Sequence, residues 1–139
     1  MTNKFPRRLK LLSKIEKVEE AAYFAEKAAK DMDFSESDVD DIAIALTEAV
    51  SNAMIHGNKS DVTKKVIVEI MEKPDRMTIH VWDEGVGFNP NTIDDPLRPE
   101  NLLRESGRGI FILKSLMDRV DYSFEKNGTV IILEKMKKK

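Results

Sequence analysis

No cysteine occurs among the 139 residues, which excludes a disulfide framework and any thiolate site. No apolar run approaches the roughly 20 residues needed to cross a bilayer. The opening residues lack the apolar centre of a signal peptide. An excess of charge is also absent: 23 Lys and Arg face 25 Asp and Glu, for a net charge of -2. Nothing in that balance predicts direct nucleic-acid binding, and the basic clusters at the two ends (Lys4, Arg7, Arg8, Lys10; Lys135, Lys137, Lys138, Lys139) read as solvated termini. There is no internal repeat and no low-complexity linker. The expectation is a cytoplasmic protein with no membrane contact. Hydrophobic residues make up 41% of the chain, enough for the core of one compact domain, residues 1–139.

Periodicity sets out the elements. Arg8 to Leu12 reads as a first strand. Ser13 with Glu16 three residues later is a capping-box pattern, and it predicts a helix to about Met32 with Ile15, Val18, Ala22 and Ala25 at helical spacing. A polar break from Asp33 to Asp38 offers Ser35 and Ser37 as caps for a second helix, to about His56, with Gly57 as its C-cap. Val66, Val68 and Ile70 alternate, Pro74-Asp75 turns the chain, and Met77, Ile79 and Val81 alternate again, which makes a hairpin. From Asp83 to about Gly107 runs a connection with three prolines and no period; loops of that length inside a domain are usually functional. A short apolar helix from Ile110 to Met117 and a last hairpin around Asn127-Gly128 complete the chain. The order predicts a two-layer α/β sandwich: a mixed, mostly antiparallel sheet with helices on one face.

Three stretches carry polar groups that a core does not need. In "LTEAVSNAMIHGN", Glu48, Asn52 and His56 are spaced by four, which keeps them near one stripe of a helix. Glu48 can accept a proton. Asn52 can offer a carbonyl oxygen to Mg²⁺, a hard cation. His56 suits the negative end of the helix dipole or the side of a phosphate. In "VWDEGVGFNP", a strand ends and Asp83, Gly85 and Gly87 follow; the carboxylate can accept a hydrogen bond from a ligand amine, and glycines let backbone approach a ligand closely. By itself this is also what an Asp-Gly turn looks like. In "ESGRGIFIL", Gly107 and Gly109 precede the apolar helix, whose free N–H groups could receive an anion. A G-x-x-x-x-G-K-[ST] sequence is lacking, so a phosphate site here is not a P-loop.

In order and spacing the three stretches resemble the N, G1 and G2 boxes of the GHKL superfamily of ATPases and kinases. Glu48-x-x-x-Asn52 matches the N box, Asp83-x-Gly85-x-Gly87 the G1 box and Gly107-x-Gly109 the G2 box, and Gly128-Thr129 matches the Gly-Thr near the end of the domain. Within the superfamily the chain looks most like the bacterial anti-sigma factor serine kinases. That resemblance implies the Bergerat, or histidine-kinase-like, ATPase fold and Mg²⁺-ATP as ligand. It implies Asp83 on the adenine amino group, Asn52 on Mg²⁺, Glu48 as general base, and Thr129 and His56 at the nucleotide. Ser106, Gly107, Arg108 and Gly109, with a lid at about 89–106, would close over the phosphates. It further implies a serine on a small anti-anti-sigma (STAS-type) protein as phosphoacceptor, a sigma factor as second partner, and homodimers. One departure stands out: where some members have Glu-Arg-Ser-Gly, this chain has Arg104-Glu105-Ser106-Gly107. Either Arg104 or Arg108 is then the residue that meets the γ-phosphate. The alternative to a kinase is a regulatory binding module gated by ATP and without phosphotransfer.

Overall fold

Arg7–Leu12 forms β1, and a short 3₁₀ turn at Ile15–Lys17 leads into α1, Val18–Asp31. The computed structural model describes residues 5–85, 111–125 and 127–137. α2 spans Glu36–Asn52 and continues into one wide π-type turn, Ala53–Gly57. β2 (Lys65–Glu72) and β3 (Arg76–Trp82) form the first hairpin. Residues 111–116 are helical and are called α3. β4 (Arg119–Glu125) and β5 (Gly128–Met136) form the second hairpin.

The five strands make one sheet in the order β1-β2-β3-β5-β4, and every neighbouring pair is antiparallel. Sequence order suggests a mixed, mostly antiparallel sheet; among the described residues it is antiparallel throughout. β3 and β4 are joined through the long connection and α3 and run in the same direction. β5 lies between them, so β3 and β4 do not pair with each other.

Alternation decides which face is covered. Leu11, Val66, Val68, Ile70, Met77, Ile79, Val81, Ile131 and Leu133 are buried and belong to one core with both long helices. α1 meets that core through Ala21, Ala25, Ala28 and Ala29, all fully buried. Small side chains on this face of α1 allow a close approach to α2. α2 supplies the bulk with Ile42, Leu46 and Val50. Truncating one such side chain to alanine costs about 2–5 kcal/mol, because a close-packed interior does not refill the space. The opposite sheet face carries Glu69, His80, Trp82 and Ile132, which are only partly covered.

Two local expectations change. Ser13 does not cap the first helix: neither Lys14 nor Lys17 nor any side chain closes that end. Ser13 is instead buried and bonds elsewhere. Ser35 caps α2 by accepting from the backbone N–H of Asp38 at 3.2 Å, and Ser37 does not. Regular α-helix also stops at Asn52 rather than His56. The N–H of Asn58 reaches the carbonyl of Ala53 at 2.8 Å, a five-residue step, so Gly57 lies inside a widened turn and Asn58 ends it.

Candidate functional site

The site is assembled where α2 ends against the sheet. The wide turn packs on β2 and β5, and Asp83 leaves the end of β3 directly beside it. Isolated π-type turns inside helices concentrate at functional sites.

Asp83 is the best-defined group. It is buried, 9% exposed. Its Oδ1 accepts from the backbone N–H of Gly85 at 2.9 Å and of Thr129 at 3.1 Å. Its own N–H donates to the carbonyl of Thr129 at 2.9 Å, so these two residues are paired in both directions. Three glycines surround it. A β-carbon on Gly57 would stand 2.1 Å from Asp83 Oδ2, one on Gly128 would stand 2.1 Å from the Asp83 carbonyl, and one on Gly85 would stand 2.2 Å from the Gly57 carbonyl. No real β-carbon tolerates such contacts, so the close approach of these backbones to Asp83 and to one another requires positions without side chains. Burial pushes the Asp83 carboxyl above the ordinary value. The N–H bonds from Gly85 and Thr129, and the charge of Lys64, oppose that rise.

Glu48 and Asn52 lie one turn apart on α2 and are both half-buried. Glu48 acts electrostatically on Tyr122 of β4. The Tyr122 phenol is pushed up to about 12, first by burial and then by the Glu48 carboxylate. The buried amide nitrogen of Asn52 has no hydrogen-bond partner among the described residues. Buried polar atoms are rarely left so, and one that is calls for a ligand or water. His56 is half-buried within the wide turn, so the straight stripe holds from Glu48 to Asn52 and the helix geometry changes before His56.

The structure thus brings Asp83, Gly85 and Thr129 together and sets Glu48 and Asn52 on the adjoining helix. Gly87, Ser106, Gly107, Arg108 and Gly109, the lid at about 89–106 and Arg104 lie outside the described residues. Two neighbours of Asp83 escaped the sequence reading. Gly57 appeared only as a helix end, and Asn58 had no motif to mark it. Asn58 is fully buried, and its Oδ1 accepts from the N–H of Glu84, next to Asp83, at 2.7 Å.

Among the described residues no group of three or more His, Cys, Asp or Glu could cage a metal ion, and no helix is long and apolar enough to cross a membrane.

Residues 11–135 match the family model of the histidine kinase-like ATPase domain. The chain is 36% identical over 140 residues to the anti-sigma F factor of Clostridium perfringens (strain SM101 / Type A), covering 97% of both chains. It is 33% identical over 110 residues to the serine-protein kinase RsbW of Bacillus mycoides (strain KBAB4), covering 75% of this chain and 68% of that one. Among solved structures, the RsbU and RsbW domains of a Mycobacterium tuberculosis protein align with a TM-score of 0.68 at 17% identity, over 96% of this chain and 33% of that chain. The antiparallel five-stranded sheet with its helices on one face is the fold of that group, and the chain belongs to the histidine kinase-like ATPase family, in its branch of anti-sigma factors and serine-protein kinases.

Proposed function

We propose that this protein is an anti-sigma factor that uses ATP to phosphorylate a serine of an anti-anti-sigma partner and holds a sigma factor when that partner is spent. The observation that carries the nucleotide assignment is Asp83: a buried carboxylate, fixed by two backbone N–H groups and ringed by residues without side chains. A flat purine can approach such a group edge-on, and the carboxylate accepts from its exocyclic amine. Discrimination follows, because a base without that amine leaves the buried acceptor unpaired.

Asn52 fits Mg²⁺ as one of few protein ligands. Mg²⁺ keeps waters and takes substrate phosphates in preference to a protein cage. The Asn52 amide, whose nitrogen has no partner among the described residues, can turn either its oxygen or its nitrogen to a ligand. When bound, the ion offsets the charge of the phosphates. Glu48 takes the proton of the attacking serine hydroxyl from its half-buried place on α2. Thr129 helps hold the nucleotide from β5, and His56 faces the phosphate side. Ser106, Gly107, Arg108, Gly109 and the lid close over the phosphates, and Gly87 lets the nucleotide pass near the backbone. A homodimer in the cytoplasm belongs to the same reading, since a sigma factor is a cytoplasmic partner.

The test is incubation with γ-labelled ATP and candidate anti-anti-sigma proteins. Label on a partner serine is expected. ATP binding without transfer to any such partner would overturn the kinase.

A further inference from the structure

Asn58 uses every hydrogen-bonding atom of its side chain. Nδ2 donates to Ser13 Oγ at 2.9 Å and to the carbonyl of Lys65 at 3.0 Å, and Oδ1 accepts from the N–H of Glu84 at 2.7 Å. Ser13 Oγ in turn donates to the carbonyl of Lys64 at 2.8 Å. The Glu84 carboxylate closes the circuit by accepting from the N–H of Lys65 at 3.0 Å. One fully buried amide therefore ties together the end of β1, the end of the wide turn, the start of β2 and the turn after β3.

The bond from the Glu84 N–H to Asn58 Oδ1 bears on the nucleotide. The N–H that Asn58 receives belongs to the peptide joining Asp83 to Glu84. Fixing that peptide fixes the direction in which the Asp83 side chain leaves the backbone. No other side chain of this size offers two donors and an acceptor in one plane. Aspartate lacks the donors, and leucine lacks all three groups.

We propose that Asn58 is a positioning residue of the nucleotide site: it holds the Asp83–Glu84 peptide so that the carboxylate meets the amine of adenine, and so sets base selectivity without touching the base. The proposal rests on the nucleotide reading given above. It makes Asn58 and Asp83 a coupled pair, because a residue that acts through Asp83 has nothing left to act on once that carboxylate is gone.

The experiment is a calorimetric double-mutant cycle. Affinities for ADP, and for IDP, which lacks the amine, are measured for the parent, Asn58→Ala, Asp83→Asn and the double variant, with nucleotide-free melting recorded for each. Asn58→Ala is expected to weaken ADP about fivefold and to narrow the preference for ADP over IDP. The double variant is expected to bind ADP within about twofold of Asp83→Asn. Independent losses that multiply, or an unchanged ADP-to-IDP ratio with only the melting temperature lowered, would reduce Asn58 to a structural residue and overturn the proposal. A parent that fails to bind ADP at all would instead overturn the nucleotide reading beneath it. Amide exchange in the parent needs no variant: the Glu84 N–H is expected to be strongly protected with or without ADP, and fast exchange there would overturn the proposal even if Asn58→Ala does not fold.

Discussion

The N–H of Thr129 donates to Asp83 Oδ1 at 3.1 Å, and the Asp83 N–H answers with a bond to the Thr129 carbonyl at 2.9 Å. This pair locks the start of β5 to the end of β3, and it leaves the carboxylate no freedom to turn away from a ligand. Asp83→Asn keeps both backbone bonds, since an amide oxygen can accept them in place of Oδ1. What it loses is the acceptor for a base amine. Leaving that amine unpaired in a buried place costs about 1–3 kcal/mol, so ATP affinity is expected to fall about tenfold or more. Isothermal calorimetry checks it, and equal affinity in the variant would remove Asp83 from the site.

The same substitution has a pH signature without nucleotide. Burial raises the Asp83 carboxyl above its ordinary value. A carboxyl raised in the folded state favours the protonated form there. Its contribution to stability is full below the unfolded value and is lost as pH rises through the folded one. At neutral pH the parent therefore carries a buried charge that Asp83→Asn does not. The variant is expected to be at least as stable as the parent at pH 7, and its advantage should shrink as pH falls toward the ordinary carboxylate range. Denaturant melts from pH 3 to 7 read this. An advantage that grows toward acid would mean that hydrogen bonding, not burial, controls Asp83.

Gly57 sits against the other carboxylate oxygen. Its missing β-carbon would stand 2.1 Å from Asp83 Oδ2. Gly57→Ala must push Asp83 or the wide turn aside, at an overpacking cost of about 1–3 kcal/mol. Nucleotide affinity is expected to fall as far as in Asp83→Asn, although the carboxylate is still present. Parent-like binding by a folded Gly57→Ala protein would show that the turn yields freely.

Much of the fold was legible because burial on one face writes a period into the chain. Val66, Val68 and Ile70 could be matched to Met77, Ile79 and Val81 before their register was known, and the hairpin was correct to within a residue or two. The Asp83 motif by itself looked like an Asp-Gly turn, and it stood out only because two further stretches accompany it in the order and spacing of one family. What was not legible depends on contacts between distant positions. Ser13 looked like a cap from its local pattern, yet its hydroxyl serves Lys64 and Asn58. Asn58 bonds to Ser13 and Glu84, 45 and 26 positions away, and no spacing rule connects such residues. The sheet looked mixed because sequence order showed a helix between β3 and β4, while the insertion of β5 between them is a matter of packing.

Tyr122 of β4 reports on Glu48 of α2. Its phenol is raised from 10.0 to about 12, by burial first and by the Glu48 carboxylate second. The folded state favours the neutral phenol, so this contribution is full below pH 10 and is lost as pH rises through about 12. Tyr122→Phe is expected to abolish a loss on the order of 2 kcal/mol in that window. Glu48→Gln should lower the Tyr122 value part of the way and leave it above 10, because burial remains. Tyrosinate absorbance in a Tyr23→Phe background gives one signal to follow. No movement on Glu48→Gln would separate the two side chains.

Glu48→Gln also tests the chemistry. A general base acts on the attacking hydroxyl and typically contributes about 10²–10⁴-fold to rate. It adds little to holding ATP, since an anion near phosphates attracts them only through a cation and its waters. Glutamine preserves the size and shape of the side chain and its rotamer on α2, and it cannot take up the proton. The variant is expected to bind ATP within about twofold of the parent and to transfer phosphate to a partner serine at least about 10²-fold more slowly. Asn52→Ala is expected to differ in kind. It removes the amide oxygen proposed to meet Mg²⁺, so it should lose the Mg²⁺-dependent part of affinity and leave Mg²⁺-free binding unchanged. Calorimetry with and without Mg²⁺, beside a labelled-phosphate transfer assay, separates the two variants. Transfer by Glu48→Gln at the parent rate would mean that the proton leaves by another route, and Glu48 would then be only the neighbour that raises Tyr122.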